Sequence, residues 1–140
     1  MVKINMGRVI LGGLLAGLII NISEFLLNML VLAQPMAEAL KGLNREMPMD
    51  SGAMTFYILL GFAQGWIATW LYAAIRPRYG AGPMTAICAG LTVWALASLF
   101  ASAAMMPMHL FPRRLLMYGM LWELFELPIA TLAGAWIYRE

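Results

Sequence analysis

The sequence contains few residues that could carry covalent or metal chemistry. It has one cysteine, Cys88, and one histidine, His109, in 140 residues. A single cysteine excludes a disulfide-stabilised scaffold, and one cysteine with one histidine cannot form a structural zinc site. Walker loops and the G-x-G-x-x-G, C-x-x-C, H-E-x-x-H and G-x-S-x-G sequences are also missing. No enzymatic chemistry is therefore predicted.

Charged side chains are scarce as well. Only 11% of the residues are Asp, Glu, Lys or Arg, whereas 63% are apolar. Soluble domains carry about 25% charged and about 45–50% apolar residues, so this composition excludes a soluble globule and a disordered chain. The net charge of +2 is too small to indicate a nucleic-acid partner. The mean hydropathy of +0.80 predicts an integral membrane protein whose first partner is the lipid bilayer.

Four apolar stretches are long enough to cross the hydrocarbon core of a bilayer, which needs about 20 helical residues. They lie at residues 9–33, 55–75, 84–106 and 115–138. None alternates polar and apolar residues with a period of two, as the strands of a transmembrane β-barrel do. The sequence therefore predicts an all-α fold, a polytopic membrane protein whose four transmembrane helices form one bundle and one domain, residues 1–140.

Helix-starting and helix-ending residues lie between these spans. Asp50 is a suitable N-cap before the second span, and Pro83 suits the first turn of the third. Pro77 is expected to end the second span, because proline lacks the N–H that would continue the helix. Lys3 and Arg8 precede the first apolar run as in a signal peptide. The run is too long and too polar for one, so we expect this span to be retained.

The basic residues predict the orientation of the chain. With both termini in the cytoplasm, five basic residues lie on the cytoplasmic side and four on the outer side, which agrees with the positive-inside rule. The cytoplasmic set is Lys3, Arg8, Arg76, Arg78 and Arg139, and the outer set is Lys41, Arg45, Arg113 and Arg114.

The connection between the first two spans, residues 34–54, is longer than the others and has a helical pattern. Four apolar residues recur in it at helical spacing, with charged residues on the opposite face. This pattern predicts a short amphipathic helix on the outer membrane surface, where it covers the end of the bundle. The four apolar residues are Met36, Leu40, Leu43 and Met47.

Three acidic residues lie inside the predicted spans, Glu24 in the first and Glu123 and Glu126 in the fourth. A charged side chain near the middle of a membrane helix costs about 2.5–3.5 kcal/mol on insertion scales, and no basic residue lies at a similar depth. We therefore expect the three to face the bundle interior or an oligomer interface. At 1.5 Å per residue, Glu126 falls near the midplane, and Glu24 and Glu123 lie about 4–6 Å toward the outer side.

Other polar residues are predicted to share this layer. Asn21, Glu24 and Asn28 are three and four residues apart, so they occupy one face of the first span. Protonated carboxyls and amides could hold the helices together through hydrogen bonds. Clustered acids without a basic partner could instead share protons and form a proton or cation site. The predicted cluster comprises Asn21, Glu24, Asn28, Gln64, Ser98, Glu123 and Glu126.

Small residues recur at intervals of four and predict close helix packing. The pattern is present in the first and second spans, and further glycines lie on the face of the fourth span that carries the acids. Deep tryptophans are expected to pack the bundle or to contact a partner or lipid. The predicted packing glycines are Gly13, Gly17, Gly61, Gly65, Gly119 and Gly134, and the deep tryptophans are Trp66, Trp94 and Trp122.

Methionine is abundant, at 13 of 140 residues. Two short Met-Pro-Met strings lie on the predicted outer side, and thioether sulfurs with one imidazole suit Cu(I). Methionine also fills gaps in apolar cores. Apart from this Cu(I) hypothesis and bound lipid, no cofactor is expected. The candidate copper ligands are Met47, Met49, Met106, Met108 and His109.

The first span opens with the sequence GRVILGG, residues 7–13, and the fourth closes with AGAWIY, residues 133–138. In these segments the chain resembles uncharacterised small bacterial membrane proteins with four spans, in which a longer loop also separates the first two helices. The resemblance covers the whole chain. It implies a bacterial inner membrane as the location and transfers no activity and no site.

Two functions of different classes follow from these observations. The first is an accessory or scaffolding subunit, which packs against itself or a larger membrane complex through its glycine and aromatic faces. The alternative is a proton- or cation-coupled transporter or channel, acting as an oligomer, in which Glu24, Glu123 and Glu126 form the titrating site. Binding of Cu(I) on the outer face is a third hypothesis.

Overall fold

The computed structural model describes residues 3–138, which form helices joined by short connections and contain no β-strand. The predicted cytoplasmic position of Arg139 and the two ends of the predicted domain lie outside the described residues. The elements are α1 (Met6–Leu27), a π-helical segment (Asn28–Leu32), α2 (Ala33–Gly42), α3 (Ser51–Tyr79), α4 (Pro83–Trp94), a second π-helical segment (Ala95–Leu99), α5 (Phe100–Met105), a 3-10 turn (Met106–Met108) and α6 (Arg113–Ile137).

Four continuous helical stretches are long and apolar enough to cross a membrane, which confirms the predicted all-α, multi-pass architecture. Because the chain reverses direction between them, residues 3–5 and 80–82 lie at one end of the bundle, here the terminal end. Residues 43–50 and 109–112 lie at the other, the loop end. Spans one to four are Met6–Gly42, Ser51–Tyr79, Pro83–Met108 and Arg113–Ile137.

The starts of spans two and three have the predicted caps. The Asp50 side chain accepts a hydrogen bond from the Ala53 N–H at 3.0 Å, which satisfies one of the free donors of the first turn of α3. Pro83 occupies the first turn of α4, where its missing N–H costs nothing. These local signals set both helix starts before any tertiary contact is made.

Pro77 does not end span two, contrary to the prediction. It lies inside the last turns of α3, which continue to Tyr79. Its missing N–H removes one main-chain hydrogen bond from α3 without ending the helix. Gly80, at a φ of 88°, then closes the helix by donating its N–H to the Arg76 carbonyl at 2.8 Å.

The predicted amphipathic helix is present as α2, but it continues span one instead of standing apart. The π-helical segment Asn28–Leu32 joins α1 to α2 without a break, so span one runs for 37 residues, or about 55 Å at the helical rise. Met36 packs against the buried Leu32, whereas Met47 lies beyond the helix end. Span one therefore extends beyond the hydrocarbon core at the loop end.

The helices form a four-cornered bundle. α1 packs against α3 and α6, and α4 packs against the same two helices. α3 and α6 also meet across the middle of the bundle, while α1 and α4 occupy opposite corners. Span four consequently has a neighbour on each side, one of which is the face of α1 that carries Glu24.

The crossing of α1 and α3 is built on four of the predicted glycines. A Cβ at Gly13 would overlap Trp66, and a Cβ at Gly65 would lie 2.7 Å from the Gly17 Cα. Gly61, one turn away on α3, has no room for a Cβ either. Glycines four residues apart place bare backbone on one helix face, so that the two main chains touch directly.

Two other crossings also depend on glycine. A Cβ at Gly134 would lie 2.9 Å from the Gly12 carbonyl oxygen, where α6 crosses α1. A Cβ at Gly90 would lie 2.6 Å from the Pro128 Cα, where α4 crosses α6. Gly119 does not pack as predicted, since a Cβ there would meet nothing within 4 Å. The neighbouring helix α4 reaches this turn on another side, where the Trp94 indole N–H donates to the Met120 carbonyl at 2.9 Å.

The bundle is tight at the terminal end and in its middle, and loose at the loop end. Every residue of α3 from Ser51 to Leu60 is exposed except the half-buried Ala53, and α5 is exposed except for Ser102. The buried residues of the terminal end are Val9, Tyr72, Ala73, Ala86, Ala89 and Tyr138, those of the middle are Ala16, Ile20, Ala68, Val93, Leu127 and Ala130, and those of the loop end are Leu27, Leu32 and Leu115.

Candidate functional site

The three intramembrane carboxyls lie together where spans one and four meet. Glu24 projects from α1, and Glu123 and Glu126 project from adjacent turns of α6. Each lies within electrostatic range of the other two. Glu126 is only 6% exposed, and the other two are half-buried. The helical rise brings the three to one level, and the packing of α1 on α6 turns them toward each other. We call these three residues the carboxyl cluster.

Two side chains hold the Glu126 carboxyl. The Ser23 hydroxyl of α1 donates to it across the helix interface, and the Trp122 indole, one turn earlier on α6, lies beside both groups. The Trp122 Nε1 donates to the Ser23 Oγ at 2.8 Å. Because the serine oxygen is occupied as an acceptor, its own hydrogen is left to point at Glu126.

The other two carboxyls have one polar partner each. The Ser98 hydroxyl, itself 5% exposed, donates to Glu123 from span three. The Asn28 Nδ2 donates to the Glu24 Oε2 at 3.2 Å and to the Glu24 main-chain carbonyl at 2.8 Å. Spans one, three and four therefore all contribute polar groups to one site.

Two carboxyl oxygens of the cluster remain unsatisfied. The Glu24 Oε1 and the Glu126 Oε2 are buried and have no hydrogen-bond partner among residues 3–138. Within that range no lysine, arginine or histidine forms an ion pair with the cluster. Buried carboxyls without a counter-charge are stable only when protons or a cation neutralise them. No described residue supplies that positive charge to the site.

Both π-helical segments adjoin this site. The first begins at Asn28, and the second, Ala95–Leu99, contains Ser98. Asn28 competes for the Glu24 carbonyl with its side-chain amide, which loosens the regular helical pattern at that turn. π turns in membrane and soluble helices occur frequently at functional sites. Here they place the two polar partners, Asn28 and Ser98, beside the carboxyls.

Two of the predicted cluster residues lie elsewhere. The Asn21 side chain faces α3. Its Nδ2 donates to the Gly17 carbonyl of its own helix at 2.9 Å and to the Ile58 carbonyl of α3 at 3.2 Å. Asn21 shares a broad helix face with Glu24, but it lies on the edge that α3 covers. Gln64 is half-buried on α3 and makes no hydrogen bond with any residue in the described range.

The prediction missed Ser23 and Trp122. Ser23 lies three residues after Ile20 and four before Leu27, both of which are buried, so helical spacing alone could have assigned it to the α6-facing side. Trp122 was recognised as deep but not as polar. Its Nε1 could have been counted as a buried donor that needs an acceptor.

The candidate copper ligands lie in two connections at the loop end. Met47 lies in a surface pocket against α2, together with Glu38, Lys41 and Arg45, and this pocket contains none of the other candidates. Met49 is 72% exposed in the same connection. The remaining candidates, Met106, Met108 and His109, belong to the connection between α5 and α6.

A metal-binding group of carboxylates is also missing from the described part of the chain. No three histidine, cysteine, aspartate or glutamate residues among positions 3–138 lie close enough to hold one ion, and this includes the carboxyl cluster. The three carboxyls are near enough to influence each other but do not converge on one point. A proton, which needs only one or two oxygens, fits this arrangement better than a metal ion.

Comparison of the chain with protein-family models, with curated proteins and with solved structures finds no match. The function must therefore be argued from the site, since a helical bundle by itself is compatible with many functions.

Proposed function

We propose that this chain is a proton-coupled membrane transport protein whose working site is the carboxyl cluster. The observation that carries the proposal is the meeting of Glu24, Glu123 and Glu126 without a basic partner among residues 3–138, with one oxygen of Glu24 and one of Glu126 buried and unpaired. Ionisable groups inside a membrane protein are costly and are commonly retained for ion or proton pathways.

The chemistry of the site suits proton transfer. A proton on Glu126 can pass to Glu24 or Glu123, because the three lie within electrostatic range and ionising one disfavours ionisation of the others. The Ser23 and Ser98 hydroxyls can each accept and donate a proton, so they can relay it between spans one, three and four. The cluster thus holds fewer than three negative charges at a time and exchanges protons one by one.

Proton flux into liposomes tests this function directly. We expect purified protein in liposomes to carry a pH-driven proton flux, and the triple variant with Glu24→Gln, Glu123→Gln and Glu126→Gln to fall to the level of empty liposomes. Glutamine keeps the shape and hydrogen bonds of glutamate but cannot release a proton. Glu38→Gln, an exposed acid on α2, is the matched control and should keep the native flux. A triple variant that is folded and conducts like the native protein would refute the proposal.

An accessory or scaffolding role is the second candidate, and a different observation supports it. The glycines of the crossings are used inside the bundle, so they leave no glycine face for a partner. The first third of α3, from Ser51 to Leu60, however, is exposed apart from the half-buried Ala53 and carries large apolar side chains such as Phe56 and Leu59, which are 60% and 62% exposed. This segment is the surface through which a second copy or a larger membrane complex would pack.

Cross-linking through α3 tests the second candidate. In a Cys88→Ala background, Leu59→Cys is expected to give disulfide-linked dimers in membranes if copies pack through this surface. Leu14→Cys, on a lipid-facing side of α1 at 42% exposure, is the control and should stay monomeric. If neither variant cross-links and the native protein has the mass of one chain, self-association through α3 is rejected.

The location proposed with either function is a bacterial inner membrane with both termini in the cytoplasm. The basic-residue count supports this orientation, and the resemblance to small four-span bacterial proteins supports the location. The loop end would then face outward. Lipid is the only cofactor-like partner that this proposal includes.

A further inference from the structure

The carboxyl cluster is connected to one end of the bundle by polar groups. Glu126, near the midplane, meets Ser23, and Glu24 beside it is bonded to Asn28. Asn28 is exposed and lies eight residues beyond Ile20, about 12 Å toward the loop end. The half-thickness of the hydrocarbon core is about 15 Å, so Asn28 reaches the region where headgroups and water begin. A polar route therefore runs from the midplane to the loop end.

The loop-end apolar cluster does not close this route. Leu27, Leu32 and Leu115 are buried between span one and α6. Asn28 follows Leu27 by one residue, which turns it about 100° around the helix and leaves it exposed beside the cluster. Span two does not bury it either, since α3 from Ser51 to Leu60 is itself exposed apart from the half-buried Ala53. Water defects near polar side chains at this depth are a recognised way to hydrate them.

The other side of the carboxyl cluster is closed by an apolar layer. Ile20 lies one turn below Glu24 on α1, and Leu127 follows Glu126 on α6, and both are 0% exposed. Backbones touch within this layer, since a Cβ at Gly90 would lie 2.6 Å from the Pro128 Cα. The layer, which we call the apolar seal, consists of Ala16, Ile20, Ala68, Val93, Leu127 and Ala130.

Polar groups beyond the apolar seal are not connected to the cluster. The Thr131 hydroxyl is turned back on its own helix and donates to the Leu127 carbonyl at 2.6 Å. Thr69 is 0% exposed between Gly12 and Gly134, and its Oγ1 has no partner in the described residues. Neither hydroxyl continues the chain of hydrogen bonds that starts at Asn28. Polar groups thus connect the carboxyl cluster to the loop end but not to the terminal end.

We propose that the carboxyl cluster exchanges protons with the loop end alone in this conformation, and that the apolar seal is the gate that separates it from the terminal end. The inference rests on the proposed function, since it assigns a direction to the same site. The titratable groups that face each other are Glu24 of α1 and Glu123 and Glu126 of α6. No charged residue lies between Ser51 and Ile75 of span two or between Pro83 and Met105 of span three. Passage to the terminal side requires Ile20 and Leu127 to separate.

Thiol labelling from each side tests the direction without measuring flux. In a Cys88→Ala background, Ser23→Cys and Thr69→Cys replace one hydroxyl each with a thiol of similar size. In vesicles of known orientation, we expect a membrane-impermeant thiol reagent to label Ser23→Cys from the loop side and not from the terminal side. Thr69→Cys, next to Ala68 of the apolar seal, should not react from the loop side. Labelling of Ser23→Cys from the terminal side, or from neither side, would overturn the proposal.

Opening the seal gives an independent readout. Leu127→Ala removes most of a fully buried side chain next to Glu126 and should let water through the apolar seal. In the double variant with Thr69→Cys, we therefore expect the thiol to react from the loop side. Leu14→Ala, at a lipid-facing position, is the control and should leave Thr69→Cys unreactive. If the native protein carries no proton flux in liposomes, the proposed function is rejected. If it carries proton flux but the thiol variants are labelled from the other side, only the direction of proton exchange and the gate are rejected.

Discussion

Replacing Gly65 with leucine is expected to prevent the bundle from assembling. A Cβ at this position would lie 2.7 Å from both the Gly13 carbonyl oxygen and the Gly17 Cα, and these are main-chain atoms of α1 that no rotamer change can move. Overpacking a core typically costs about 1–3 kcal/mol, and a clash with backbone lies at the high end of that range or above it. The same change separates Trp66 from Ile10, whose carbonyl accepts the indole N–H at 3.1 Å.

The measurement compares this variant with a leucine placed where the structure leaves room. Unfolding in mixed micelles, followed by tryptophan fluorescence, should show Gly65→Leu unfolded or strongly destabilised. Gly119→Leu is the control, because a Cβ there meets nothing within 4 Å, and it should unfold like the native protein. Equal stability of the two variants would mean that α1 and α3 are not in main-chain contact.

Replacing Glu126 with methionine is expected to stabilise the bundle and to abolish proton flux. The carboxyl is 6% exposed and its Oε2 has no partner, and such a group costs about 1–3 kcal/mol. Methionine has a similar length and no strongly polar atom, so it fills the same space without that cost. Ser23 keeps its bond from Trp122 and can turn its own hydrogen to the preceding helical turn. We therefore expect the free energy of unfolding to rise by about 1–3 kcal/mol.

This result separates a working site from structural hydrogen bonding. If the carboxyl cluster only holds helices together, Glu126→Met removes the Ser23 bond and the free energy of unfolding falls. Gln64→Met is the control, since Gln64 is a half-buried polar residue outside the cluster, and its replacement should leave the flux unchanged. Unfolding free energy and proton flux are measured on the same preparations. A less stable Glu126→Met variant would support the structural interpretation.

Helix starts and the number of spans could be predicted because they depend on local chemistry. Asp50 caps α3 and Pro83 begins α4 through contacts within one turn, and an apolar run long enough to span the core has no other stable conformation in lipid. The end of α3 was predicted wrongly at Pro77, because a proline removes one main-chain hydrogen bond but does not end every helix that contains it, as Pro128 inside α6 also shows. Gly80 closes α3 instead.

The packing of the glycines shows where sequence spacing stops being sufficient. Gly13 and Gly65 are at a crossing and Gly119 is not, although all three were predicted to pack against a neighbouring helix. Gly90, which touches Pro128, has a neighbour only because α4 approaches α6 at that turn. A pattern of small residues indicates that close packing is possible there. Which helix packs against a given glycine is decided by the assembled bundle.

The scarcity of charge by itself determined that this is a membrane protein and that its three intramembrane acids are its unusual residues. The helical rise of 1.5 Å per residue then determined their depth, because rise is the same in every α-helix. Only the tertiary structure decided which side chains at that depth meet. Rotation of each helix about its axis is set by packing against its neighbours. Packing turned Asn21 toward α3 and Ser23 toward Glu126, and it closed the terminal side of the cluster with Ile20 and Leu127.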